Sequence, residues 1–120
     1  MIKILVSSSP DALAAYVISE APNESVIVSL NENMFHLCEK LNPDFTGKLC
    51  VVNNDSASIA KAIETYKDAS LIILDSLCKE SLQNIWHYML GVDCDVLVVT
   101  NDKTKDFLED MYHIPRIQVD

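Results

Sequence analysis

The sequence predicts an α/β domain of three layers, in which helices cover both faces of a parallel sheet. Three observations predict this class. Short apolar runs recur along the chain, each run ends in polar residues, and a stretch with helical spacing of apolar residues follows each run. Alternation of strands and helices is typical of a parallel sheet, because a parallel connection has to cross the sheet and commonly does so through a helix.

The apolar runs give five predicted strands, and the tail of the chain gives a sixth. We predict strands at residues 2–7, 25–30, 48–53, 70–75 and 95–100, and a sixth, edge strand in the alternating tail at 116–119. The first is apolar at nearly every position, as in strands that are covered on both faces. The second strand is short and less apolar, which favours an edge position, whereas the fourth has the composition of a central strand.

Helix signals fill the segments between the strands. Ser9 is expected to cap a first helix that begins at Pro10 and runs to Glu20. Gly91 lies where a left-handed C-cap is expected after the fourth helix, and a fifth helix is predicted to begin near Asp102. The apolar stripes of helices two to five comprise Met34, Leu37, Cys38, Leu41, Ile59, Ala62, Ile63, Tyr66, Leu82, Ile85, Trp86, Met89, Phe107, Leu108 and Met111.

The arrangement of these elements follows from general rules of α/β folds. Right-handed crossover connections with short loops place helices on both faces of the sheet. Among doubly wound sheets we expect the flavodoxin-like order 2-1-3-4-5, with the change of winding direction between strands one and three. The polar residues that follow those strands would then meet at one edge of the sheet.

Composition is that of one folded domain with an acidic surface. The chain has 120 residues, of which 49% are hydrophobic, and a formal net charge of −9. That charge disfavours direct binding to nucleic-acid phosphates and to anionic membranes, so we expect a protein partner, with a basic partner as one option. A homodimer through an exposed edge strand is left open. No apolar run has the length of a membrane span, and a strand begins at once, so a cytoplasmic protein is predicted.

Neither the cysteines nor the histidines form a metal-binding or catalytic pattern. The cysteines lack a C-x-x-C pair and are expected to act as small apolar residues. The histidines fall on predicted helices or a helix end, which favours surface or packing roles. No cofactor, metal or catalytic residue is therefore predicted. The residues concerned are Cys38, Cys50, Cys78, Cys94, His36, His87 and His113.

Motifs that bind phosphate or activate a serine are also missing from the sequence. Its two glycines, Gly47 and Gly91, cannot supply a G-x-G-x-x-G or P-loop cradle, and no G-x-S-x-G is present. The sequence therefore predicts neither a dinucleotide or P-loop phosphate cradle nor a hydrolase elbow.

A polar rim is predicted where the strands end. Helix N-termini directed at such a rim favour anions locally. Helix capping accounts for most of these residues, because Ser, Asp, Asn and Thr are the preferred caps, but it accounts less well for their doubling. The candidate binding rim comprises Ser7, Ser8, Ser9, Asp11, Asn53, Asn54, Asp55, Asp75, Ser76, Thr100, Asn101 and Asp102.

Several junctions of the chain resemble those of the receiver domains of bacterial response regulators. The similar segments are IKILVSSSPD at 2–11, LNPD at 41–44 and GVDCD at 91–95, and the strand–helix order extends the resemblance over nearly the whole chain. The resemblance implies a receiver-like scaffold.

The residues that carry receiver chemistry are replaced. The resemblance places Ser7 and Ser8 where receivers hold Mg²⁺ with an acidic pair, and Asn53 or Asn54 where an aspartate accepts phosphate. Serine hydroxyls are poor substitutes for the carboxylates that Mg²⁺ prefers, and an asparagine cannot form an acyl phosphate. The resemblance therefore implies a pseudo-receiver, in which the scaffold is kept without the phosphorylation chemistry.

Two shorter segments resemble metal-dependent enzymes. SPDALAA at 9–15 is similar to the first motif of DHH-type phosphoesterases, and residues 95–106 with HIP at 113–115 are similar to the C-terminal part of PIN nucleases. In each resemblance a metal ligand of the family is missing.

These observations together predict a non-catalytic regulatory or protein-interaction module. One alternative is a metal-dependent phosphoesterase, which would bring Asp11, Asp55, Asp75 and Asp102 together at one edge of the sheet. A further alternative is an acidic inhibitor or decoy protein, which would gather its carboxylates on one face.

Overall fold

The computed structural model describes residues 2–6, 9–20, 24–100 and 116–118. Strands and helices alternate there as predicted, and each strand begins and ends within two residues of its predicted limits. The predicted fifth helix, near Asp102, lies outside the described residues. No helix in the described ranges is long and apolar enough to cross a membrane. The elements are β1 (Ile2–Val6), α1 (Pro10–Glu20), β2 (Ser25–Ser29), α2 (Asn33–Leu41), β3 (Lys48–Val51), α3 (Ser56–Thr65), β4 (Leu71–Asp75), α4 (Lys79–Leu90), β5 (Asp95–Thr100) and β6 (Arg116–Gln118).

The strands form one parallel sheet in the order β3-β2-β4-β5-β1-β6. The doubly wound, flavodoxin-like α/β architecture and the sixth edge strand are thereby confirmed. The predicted order 2-1-3-4-5 is wrong, because β1 pairs with β5 and β6 rather than with β2 and β3. β1 and β3 lie four positions apart in the sheet.

The second strand is central rather than at an edge, which corrects its predicted position. β2 lies between β3 and β4, and all five of its residues are buried. Ser25 and Ser29 make β2 less apolar than a central strand usually is, yet both side chains are covered by the rest of the fold. The edge strand on this side is β3, whose Lys48 and Val51 are exposed.

Two apolar clusters, one on each face of the sheet, hold the layers together. α1 and α2 pack on one face, where they meet Ile73 of β4. α3 and α4 pack on the other face, where they meet Ile72 and Leu74 of the same strand. This alternation along β4 is the two-residue period of a strand. Trp86 of α4 is only 1% exposed, so its predicted core position is confirmed.

Polar caps begin two of the helices as predicted. Ser9 Oγ accepts a hydrogen bond from the backbone N–H of Ala12 at 3.3 Å, and this bond caps α1. Asp55 caps α3 by accepting from the backbone N–H of Ser58 at 2.7 Å. Each cap satisfies an N–H group that has no partner within its helix.

The predicted left-handed C-cap at Gly91 is wrong, since this residue has a φ of −91°. The Gly91 N–H donates to the Tyr88 carbonyl at 3.1 Å, and the Val92 N–H donates to Met89 at 3.2 Å. These tight turns close α4 without a positive φ.

Candidate functional site

The sheet changes its winding direction between β2 and β4. The chain leaves β2 toward the face that carries α2, and it leaves β4 toward the face that carries α4. Neighbouring strands whose connections depart to opposite faces leave a crevice at their carboxyl ends, and ligands of α/β proteins bind in such crevices. The predicted switch between strands one and three is thus replaced by one between β2 and β4.

A buried serine–carboxylate pair occupies this crevice. Ser29 and Asp75 are register partners at the last positions of β2 and β4. Ser29 Oγ donates to Asp75 Oδ2 at 3.1 Å. Asp75 is 7% exposed, and this burial raises the pKa of its carboxyl group, while hydrogen bonds from Ser29 and Ser76 oppose that rise. The site therefore holds a carboxylate that is shielded from solvent rather than presented to it.

Asp75 has a buried thiol near it and a strained turn directly after it. Cys38 of α2 is fully buried, and its burial, followed by the charge of Asp75, raises the pKa of the thiol to about 11. Ser76 has a φ of 61°, the one positive φ at a non-glycine residue in the described chain. A non-glycine residue in the left-handed region costs about 1–2 kcal/mol, so the turn after β4 is strained.

A second polar cluster lies on the opposite face, where α4 begins. Cys78 is the N-cap residue of α4, and its Sγ lies 3.2 Å from Ser81 Oγ. Ser81 Oγ in turn donates to Asn54 Oδ1 at 3.2 Å, which ties the loop after β3 to α4. The hydrogen bonds with Ser81, and then that with Asn54, lower the pKa of the Cys78 thiol. Cys78 is therefore the thiol in this chain that ionises most readily.

The predicted rim residues fall into three groups in the structure. Ser9 and Asp55 cap helices, Asn54 binds Ser81, and Asp75 binds Ser29. Asp11, Asn53 and Ser76 are exposed, and Thr100 ends β5. The remaining members lie outside the described residues: Ser7, Ser8, Asn101 and Asp102.

Asp11 and Asp55 of the predicted rim do not meet, and Asp102 lies outside the described residues. Asp55 follows the edge strand β3 and caps a helix on one face, whereas Asp11 lies in α1 on the other face. Strands are spaced by about 4.8 Å, so the four positions between β3 and β1 correspond to roughly 19 Å. No group of three or more His, Cys, Asp or Glu side chains in the described part of the chain could hold a metal ion.

Sequence reasoning missed two members of these clusters. Ser29 is a polar residue at the end of a strand, as Asp75 is. The predicted edge position of β2 separated the two residues, so their pairing was not expected. Cys78 had a local signal, since Ser81 stands three residues after it, which is the spacing of an N-cap residue and its hydrogen-bond partner.

Comparison with family models, curated proteins and solved structures gives no match to this chain. The fold by itself defines the class of protein, which is a three-layer α/β/α domain with a parallel sheet. The predicted order 2-1-3-4-5 would place the ends of β1 and β3 side by side, whereas the structure separates these strands by four positions. Asn53 and Asn54 thus lie far from the end of β1.

Proposed function

We propose that this protein is a non-catalytic regulatory or protein-interaction module. One observation carries the proposal: four of the described rim residues, Ser9, Asn54, Asp55 and Asp75, are engaged within the fold. Asp55 and Ser9 hold helix N-termini, and Asp75 is buried against Ser29. A catalytic carboxylate has to reach a substrate or a metal ion, and these carboxylates are committed to structure instead.

The acidic surface supports a protein partner more than a nucleic-acid decoy. Carboxylates occur on both helical layers, with Glu39 on α2 and Glu64 on α3. Each also has a cationic or ionisable neighbour, because His36 Nδ1 lies 3.3 Å from Glu39 and Lys67 Nζ lies 3.2 Å from Glu64. A decoy needs one face of unneutralised carboxylates, which this distribution does not favour.

The cysteines support an intracellular, reducing location for the module. All four cysteines are free thiols, and Cys38 is fully buried as a small apolar residue. Free thiols persist where disulfides are kept reduced. We therefore place the module in the cytoplasm as part of the proposal.

Thermal unfolding with millimolar Mg²⁺ and Mn²⁺ tests the proposal against the phosphoesterase alternative. We expect no metal-induced stabilisation of the wild-type protein and the same result for Asp75→Asn. Stabilisation by Mn²⁺ that disappears in Asp75→Asn, together with hydrolysis of a phosphodiester, would establish the enzyme instead.

The interaction itself is tested with the immobilised protein. We expect one partner to be retained from extract in stoichiometric amount and to bind again when both components are pure. Failure to reconstitute any complex from pure components would overturn the interaction function.

A further inference from the structure

We propose that the outer edge of β3 and the groove beside it bind an extended peptide segment that carries a carboxylate. The inference rests on the proposed interaction function and names the surface and the partner chemistry. Three features support it: a strand edge that is open among the described strands, a partly apolar groove along that edge, and a lysine in the lining of that groove.

The edge of β3 presents backbone groups to an added strand. β3 has β2 as its one neighbour in the described sheet. The Val52 N–H donates to the Ser29 carbonyl at 2.9 Å, so residues in phase with Val52 direct their backbone groups toward β2. Leu49 and Val51 are out of phase, and their N–H and C=O groups point outward. A peptide in extended conformation can pair with these groups.

A groove with both apolar and polar walls runs beside this edge. It has a volume of about 300 Å³ and lies between β3 and α3, where Cys50, Val52 and Tyr66 contribute to its walls. Val51 at the strand edge is 53% exposed, and it is one of few large hydrophobic side chains that are exposed in the described chain. Alternate side chains of an added strand would enter this groove, which supplies specificity beyond the backbone pairing.

The charge of this surface differs from that of the protein. Among the described residues that line the groove, Lys61 is the one that is charged, and none is a carboxylate. Lys48 begins the same edge strand but lines a second pocket together with Glu24 and Asp68, so the positive charge is confined to the groove at Lys61. Neither lysine has an ion-pair partner among the described residues. In a chain of net charge −9, the lysine of this groove favours an acidic segment over a basic one or a second acidic copy.

Selection from a displayed library of random linear peptides on the wild-type protein tests this inference. Synthetic copies of the selected peptides are then titrated by fluorescence anisotropy. Lys61→Glu reverses the charge in the groove, and Lys40→Glu makes the same change on α2, on the opposite face. Val51→Pro removes one outward N–H, and Val51→Thr keeps it. Circular dichroism and thermal unfolding verify that each variant is folded.

We expect selected peptides to contain an acidic residue within an alternating apolar pattern. Lys61→Glu should weaken their binding by about fivefold or more, as a lost and reversed ion pair would, while Lys40→Glu changes it by less than about twofold. Val51→Pro should weaken binding by a similar factor and Val51→Thr should not. If Val51→Pro does not fold, the comparison of Lys61→Glu with Lys40→Glu decides the outcome.

Peptides that bind Lys61→Glu and Val51→Pro as tightly as the wild type would overturn the edge site. In that case a reconstituted complex with a whole protein would leave the interaction function standing. A selection that yields no binder, alongside such a complex, likewise overturns only the edge site. Absence of both peptide binders and a reconstituted partner would overturn both proposals.

Discussion

Replacing Ser29 with alanine removes the hydroxyl that donates to the buried carboxylate of Asp75. The bond spans 3.1 Å and both residues are buried, so water cannot replace the lost donor without opening the crevice. A hydrogen bond to a charged group contributes about 1.5–3 kcal/mol, and we take about 2 kcal/mol as the expected loss. For a domain of this size that loss lowers the unfolding temperature by about 8 °C.

A double-mutant cycle with Asp75→Asn separates this bond from other effects of the substitution. The amide keeps a hydrogen bond with Ser29 without a desolvated charge, so Asp75→Asn should be neutral or stabilising at pH 7. In the Asn background Ser29→Ala should cost only about 1 kcal/mol, as for a neutral hydrogen bond. The weaker bond from the Asn31 N–H to Ser29 Oγ, at 3.3 Å, is lost in both backgrounds and cancels.

Chemical denaturation of the four proteins, followed by circular dichroism, measures the cycle. A loss of less than about 0.5 kcal/mol in Ser29→Ala would refute the reasoning, because it lies within the range of ordinary surface substitutions. Equal losses in the Asp and Asn backgrounds would refute it as well, since the bond would then owe nothing to the charge.

The pH dependence follows from the direction of the pKa shift at Asp75. Its pKa in the folded protein is raised above 3.8, so the folded state holds this proton more tightly than the unfolded state does. The contribution of Asp75 to stability is therefore fully present below pH 3.8 and is lost as pH rises through the raised pKa. The stability of wild type relative to Asp75→Asn should fall over that window. A relative stability that rises there would show that the carboxylate is stabilised in its charged form.

Three further substitutions or modifications test other parts of the fold. Iodoacetamide at neutral pH should modify Cys78 first and Cys38 last in the folded protein, as mass spectrometry of tryptic peptides would show; equal rates would contradict the lowered pKa of Cys78. Ile63→Ala should lower the free energy of unfolding by about 2–5 kcal/mol, while Val51→Ala changes it by less than about 0.5 kcal/mol. Asp55→Ala should cost about 1 kcal/mol in thermal unfolding, and Asp55→Asn, which can still cap α3, should cost less.

Sequence patterns predicted the elements well because those patterns are local. Pro10 after a capping serine starts α1 where predicted, and the spacing of Met34 and Cys38 marks the buried side of α2. Such signals depend on a few neighbouring residues, so they survive without knowledge of the rest of the fold.

The strand order depends on long-range pairing and could not be obtained in the same way. Connections of similar length join every pair of successive strands, so loop length does not distinguish one order from another. The polar ends of β2 favoured an edge position, but Ser29 is buried because Asp75 lies opposite it. Because β2 was predicted at an edge of the sheet, the pairing of Ser29 with Asp75 in the candidate site was not predicted either.

The position of β1 between β5 and β6 has a consequence for biosynthesis. Ile2 pairs with Val96, and Ile4 pairs with Arg116, so β1 is synthesised well before both of its neighbours in the sheet. β2, β3 and β4 can pair with one another much earlier, whereas β1 stays without a neighbouring strand until most of the chain has emerged. The nascent domain therefore carries an apolar, unpaired β1 until β5 is made, and this strand is where chaperone binding or premature aggregation would begin.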